Sequence, residues 1–128
     1  MASWTRLQEH ARGNFALEDD QPSMFSMTWI YDDGRRQKVI IRRYEAFGRT
    51  MIEIKSPFAR GDAASADELI RKNAELPLAT IARSGELYLA VYNMLIDHLN
   101  LEDFDLVVSR VAAVADTLEE TYNKTDEF

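Results

Sequence analysis

The chain has no cysteine in its 128 residues. That excludes disulfides, thiolate nucleophiles and Cys-ligated zinc or iron, and is compatible with a reducing compartment. Histidine occurs twice, at positions 10 and 98, with no H-E-x-x-H or similar ligand spacing. The five glycines are scattered, and neither G-x-x-x-x-G-K-[ST] nor G-x-G-x-x-G occurs, so there is no phosphate-cradling loop. A G-x-S-x-G nucleophile elbow is also missing. No apolar run approaches the roughly 20 residues of a membrane span. The N-terminus leads into polar residues rather than the apolar segment of a secretory signal. The expectation is a cytoplasmic protein without membrane contact, catalysis, cofactor or metal. One cluster, Asp97, His98, Glu102, Asp103 and Asp105, is a minor candidate for a divalent cation. Its plainer reading is that Glu102 and Asp103 complement the positive end of a helix.

What is present is ordinary globular composition, 46% apolar and 29% charged. A chain of this length fits one domain and can bury roughly two-thirds of its unfolded surface. Charge is uneven. Residues 1–64 carry ten basic and nine acidic groups, residues 65–128 five and thirteen, which gives +1 and −8 and a net charge of −7. Six of the fifteen basic residues fall between Arg35 and Arg49, against one acid, Glu45. That density raises the question of a nucleic-acid surface.

Spacing and capping residues give the order of elements. Ser3 can cap a first helix whose Trp4, Leu7, Ala11 and Phe15 share a face. A polar stretch, Glu18 to Ser23, precedes a β-rich run from Met24 to Tyr31. Asp33-Gly34 is a two-residue hairpin signal, and Arg35 to Glu45 is the returning strand. Phe47-Gly48 turns into a third strand, Thr50 to Ser56. Ser65 with Glu68 three residues later reads as a capping box, starting a second helix that ends at Pro77. Ser84-Gly85 joins two further strands and would set Arg83 opposite Glu86. Leu101, Phe104, Val108, Val111, Ala115, Leu118 and Tyr122 recur at helical spacing behind Asn100 as N-cap. The reading is one α+β domain over residues 1–122, order α-β-β-β-α-β-β-α, with an antiparallel sheet packed against helices. Residues 123–128 read as a disordered polar tail.

This order, with "AELPLATIARSGELYLAVYNMLIDHLNLEDFDLVVSRVAAVADTLEETY" in the C-terminal half and "WIYDDGRRQKVII" in the first hairpin, resembles the YbjN family. The resemblance implies a type III secretion chaperone-like fold and a small, non-enzymatic, usually dimeric binding domain.

If Asp33-Gly34 and Phe47-Gly48 are both two-residue loops, the faces of the sheet follow, because residues directly opposite in an antiparallel pair share a face. Thr28, Ile30, Val39, Ile41, Ile52 and Ile54 then form the compact core face. Phe25, Met27, Trp29, Tyr31, Arg36, Lys38, Ile40, Arg42, Tyr44, Met51, Glu53 and Lys55 form the other. An odd shift in either turn would exchange these assignments. The second face reads either as a solvated surface under long side chains or as a partner or dimer surface. Its aromatic, Met and Arg content favours the latter. The candidate site is Phe25, Trp29, Tyr31, Ile40, Tyr44 and Met51, with Arg36, Lys38 and Arg42 at the rim, taking a protein partner or a second copy of the chain. Base stacking on the same face is the alternative. Against it stand the opposition of Glu53 to Arg42 and the −8 charge of the second half.

Overall fold

The computed structural model describes residues 3–123 and 128. Helix α1, Trp4–Asn14, begins where the Ser3 side chain accepts the amide of Arg6. It buries Trp4, Leu7, Gln8 and Ala11 along one face. After Phe15 and Ala16, Leu17–Gln21 form a strand, β1, which the hydrophobic pattern did not announce. It pairs with β2, Met24–Ile30, around Pro22-Ser23. "LEDDQ" has the composition of an edge strand, whose outer side meets water and is protected by charge. Helix α1 anchors it from the side. Gln8 Nε2 donates to Asp20 Oδ1 and to the Gln21 carbonyl, both at 2.7 Å, and Arg12 grips Asp20 at 2.7 and 2.9 Å.

Strand β3, Arg36–Ala46, and β4, Arg49–Arg60, are the long central pair. Ala46 opposes Arg49, so Phe47-Gly48 is a two-residue turn with φ of +55° and +70°. Helix α2, Ala66–Lys72, starts where Ser65 accepts the Glu68 amide at 3.1 Å, and it runs into a 3₁₀ turn, Asn73–Glu75. Strands β5, Thr80–Ser84, and β6, Leu87–Leu95, follow, and a short 3₁₀ turn, Ile96–His98, leads to α3, Leu101–Leu118. A π-helical turn, Glu119–Asn123, extends α3. The sheet is antiparallel in the order β1-β2-β3-β4-β6-β5. The architecture is thus a single α+β domain with six strands, one more than expected.

Two turns differ from expectation. Ile30 opposes Arg36, and Tyr31 and Arg35 close the loop through a 2.9 Å amide-to-carbonyl bond, so the connection is Asp32-Asp33-Gly34, three residues rather than two. Gly34 takes φ +87°, the left-handed third position such loops need. In the other hairpin Ser84 opposes Leu87, which makes Gly85-Glu86 the turn and puts Arg83 opposite Tyr88, not Glu86. The Arg83 guanidinium lies over the Tyr88 ring, 5.2 Å from its centroid.

All three helices pack on one face of the sheet. There Phe25 sits between Trp4 and Phe104, with ring centroids 5.3 and 6.3 Å away. Val39, Ile41, Ile52 and Ile54 continue that core toward Val108 and Val111 of α3. A second cluster joins Phe58, Leu69, Tyr88, Ala115 and Leu118 under α2.

Candidate functional site: the open face of the sheet

Because the helices share one side, the opposite face of the sheet carries no helical layer among the described residues. The three-residue first loop decides what lies there. Moving β2 by one position against β3 turns Phe25, Met27, Trp29 and Tyr31 inward, and Thr28 and Ile30 outward. Three predicted site residues therefore leave the surface. Phe25 is completely buried. Trp29 is half-buried against Phe15, with ring centroids 5.9 Å apart. Tyr31 points its hydroxyl into the interior beside Arg35 and Asp116, and burial, followed by the Asp116 charge, pushes its phenol up to about 12. The other hairpin had the expected length, so Arg36, Lys38, Ile40, Arg42, Tyr44 and Met51 do share the open face, with Glu53 and Lys55. Ile30 joins them, 65% exposed.

The charges on this face are tied to one another. Glu53 accepts from Arg42 and from Lys55, each at 3.0 Å. Burial alone would push Glu53 up, but the hydrogen bonds from these two cations outweigh it and hold the carboxyl below its ordinary value. Lys38 lies 3.6 Å from Asp19, which also accepts the Ser26 hydroxyl at 2.6 Å. The Ser26 bond, and then Lys38, hold Asp19 low. The Thr28 hydroxyl donates to Glu18. Arg42 also stacks on Tyr44, 4.6 Å from its centroid, and the Tyr44 hydroxyl donates to Asn93 at 2.7 Å. Arg36, Lys38, Arg42 and Lys55 are thus interleaved with Glu18, Asp19 and Glu53. Phosphate recognition draws on several unopposed cations, and this face is nearly neutral. What it offers is a stable, largely self-paired polar lattice around Ile30, Ile40, Tyr44 and Met51.

The suggested cation cluster does not assemble. Asp97 pairs with Arg49 at 2.8 Å and Asp105 with His10 at 2.8 Å. Among the described residues no group of three or more His, Asp or Glu side chains is placed to hold a metal. No described helix is long and apolar enough to cross a membrane.

Two surface features were not read from the sequence. Phe47, at the β3–β4 tip, is 100% exposed in a left-handed backbone conformation. A shallow groove of about 390 Å³ runs between the α2–β5 connection and the outer side of α3, lined by Leu76, Pro77, Ala113, Val114 and Leu118 with Lys72, Glu75 and Arg110 at its margin. Leu106, one turn before Arg110, and Leu78, next to Pro77, are also exposed. The signal for the groove was the second apolar stripe of α3: Leu106, Ala113 and Val114 fall off the face that carries Phe104, Val108 and Val111.

No family model matches the chain, and no curated protein matches it in sequence. Its fold is shared with solved structures. A chain from the structure titled "Crystal Structure of the ExsC-ExsE Complex" superposes with a TM-score of 0.64 at 11% identity, over 95% of this chain and 97% of that one. A chain from "Structure of the HopA1-SchA Chaperone-Effector Complex" gives 0.58 at 12% identity, over 91% of each. The fold is therefore the type III secretion chaperone-like α+β fold.

Proposed function

We propose that the chain is a non-catalytic, chaperone-like protein-binding domain that works as a cytoplasmic homodimer and regulates or protects a polypeptide partner. The observation that carries this reading is the arrangement of the two faces of the sheet. One is sealed by three helices, and the other is uncovered and presents Ile30, Ile40, Tyr44 and Met51 within a self-paired charge lattice. Such a face needs little rearrangement to accept an extended apolar segment. Arg36, Lys38 and Arg42 at its rim would guide orientation more than affinity. The shared fold with a chain of a chaperone–effector complex supports the same reading. Kinship with the YbjN family, supported by the order of elements and the Leu-Pro segment before β5, belongs to the proposal as well. Self-association is assigned to the α3 groove. Its margin carries both signs, Lys72 and Arg110 against Glu75, and a two-fold axis can set one copy's cations on the other's carboxylate.

Light scattering on the purified chain tests the dimer, and V114D should return it to a monomer. Affinity capture from the source cells tests the face: I40D with Y44A should lose the captured polypeptide while the circular dichroism stays native. A chain that is strictly monomeric at micromolar concentration removes the self-association half of the proposal. Undiminished capture by the double variant removes the other half.

A further inference from the structure

The pairing between β3 and β4 opens at one end. Their ladder runs from the turn to Ile40 opposite Lys55 and stops there. Two residues further along β4 is Pro57, which has no amide to donate, and β4 bulges between Pro57 and Ala59. Gln37 bridges the opening from the β3 side, donating through Nε2 to the Ser56 hydroxyl at 2.8 Å and to the Pro57 carbonyl at 2.6 Å. The Lys38 amide, deprived of a β4 partner, donates instead to the backbone oxygen of Phe128 at 2.9 Å. The Phe128 amide in turn donates to Oε2 of Glu119 at 2.8 Å, and its ring lies against the Arg60 guanidinium, 5.9 Å from the carbon that joins the three nitrogens.

Glu119 is fully buried. Taking a carboxylate out of water is costly unless it is met by cations and hydrogen-bond donors. Here Arg35, held by Asp116 at 2.9 Å, stands 3.6 Å from Oε1. The other oxygen faces the Phe128 amide. The three fixed points are therefore an acceptor for a backbone amide, a donor for a backbone carbonyl, and a cation for an aromatic face. That is the chemistry of an extended residue with an aromatic side chain, supplied by Glu119 at the end of α3 and by Lys38 and Arg60 of the sheet. The π-helical turn at Glu119–Asn123, a local departure from α-helix common at functional positions, sets the carboxylate there.

We propose that the opening between β3 and β4 is a docking slot for an extended polypeptide segment bearing an aromatic side chain, of which Phe128 is the resident and displaceable occupant. The slot lies apart from the open face, under the end of α3, so binding there and binding on the face are separable. A partner segment of this chemistry competes with Phe128 at the high effective concentration of a tethered ligand.

The test uses the full chain and an amidated, fluorescently labelled peptide of residues 123–128, Asn-Lys-Thr-Asp-Glu-Phe. F128A, which keeps the backbone but removes the ring, should bind this peptide about tenfold more tightly than the wild type, whose slot is occupied. By NMR hydrogen exchange the Lys38 amide should lose about tenfold of its protection in F128A and regain it when the peptide is added. A peptide ending in Ala should do neither, and R60A in the F128A background should weaken binding severalfold without altering the fold, since Arg60 is on the surface. Equal peptide affinity for wild type and F128A overturns the proposal. So does Lys38 protection that is unchanged by F128A, or that the Ala-ended peptide restores equally well. No outside partner is required, so the result stands whatever the open face binds.

Discussion

Replacing Phe25 by Ala measures which face of the sheet is the core. In the structure the ring is fully buried, with Trp4 and Phe104 on either side at 5.3 and 6.3 Å between centroids. Truncation removes the ring's transfer free energy and leaves a cavity that two flanking aromatics cannot readily collapse. Phe→Ala at such sites costs about 3–5 kcal/mol. That is a large part of the roughly 5–15 kcal/mol that holds a domain together. An unfolding entropy of about 2.1 cal/mol/K per residue, taken over this chain, converts the loss to a fall in melting temperature of roughly 10–20 °C. The control is Met51→Ala on the open face, where partial exposure limits the loss to about 1 kcal/mol. Urea titration followed by far-ultraviolet circular dichroism gives both values on one scale. If F25A costs no more than M51A, the first hairpin has a two-residue loop after all. Phe25, Met27 and Trp29 would then face outward, and the core described above would be wrong.

Phe47→Asn should stabilise the chain by roughly 0.5–1 kcal/mol, because Asn tolerates the left-handed backbone that Phe47 adopts while 100% exposed; an unchanged urea midpoint would mean the turn carries no strain. Tyr31→Phe should be neutral or stabilising by up to about 1 kcal/mol, since the buried hydroxyl has no hydrogen-bond partner. The wild-type phenol is raised to about 12 from 10.0, so its contribution is complete below pH 10 and is lost as pH rises toward 12. Y31F should therefore be less sensitive than wild type in that window, and equal alkaline sensitivity would contradict it. Glu53 is held below its ordinary value, so it contributes stability above the normal carboxylate range that is lost as pH falls through its own lower value. E53Q should cost roughly 1 kcal/mol at neutral pH and flatten the acid limb of the stability curve, and a variant with an unaltered acid limb would refute the Arg42–Glu53–Lys55 assignment.

Legibility in the sequence followed how local each determinant was. Ser3, Ser65 and Asn100 cap the helices they were expected to cap, each accepting an amide two or three residues inside the helix, because a cap depends only on its own first turn. The inward stripe of α3 is likewise a matter of spacing, and Phe104, Val108, Val111, Ala115 and Leu118 are all buried. Strand β1 was missed because edge strands lack apolar alternation, and the Gln8 and Arg12 bonds that fix "LEDDQ" come from another element. The buried Glu119 leaves a trace in the sequence: it stands four residues after Ala115, a charge in an apolar stripe.

The site shows the same division. Asp-Gly fits a two-residue loop and the last two positions of a three-residue loop equally well, and the choice moves every side chain of β2 to the other face. No residue near the turn decides between them. Packing does: with three residues in the loop, Phe25 meets Trp4 and Phe104 beneath the helices, while Thr28 and Ile30 meet water. Composition and period by themselves determined an α+β domain and its helices; the register of β3 against β4, and with it Arg36, Lys38, Ile40, Arg42, Tyr44 and Met51 on one face, followed from the condition, met in the structure, that Phe47-Gly48 is a two-residue turn. Tertiary structure alone decided which aromatics left that face, that Asp19 of β1 answers Lys38, and that Phe128 closes the gap Pro57 opens in the sheet, because each depends on how separate segments pack; the opposition of Glu53 to Arg42 already followed from the hairpin register.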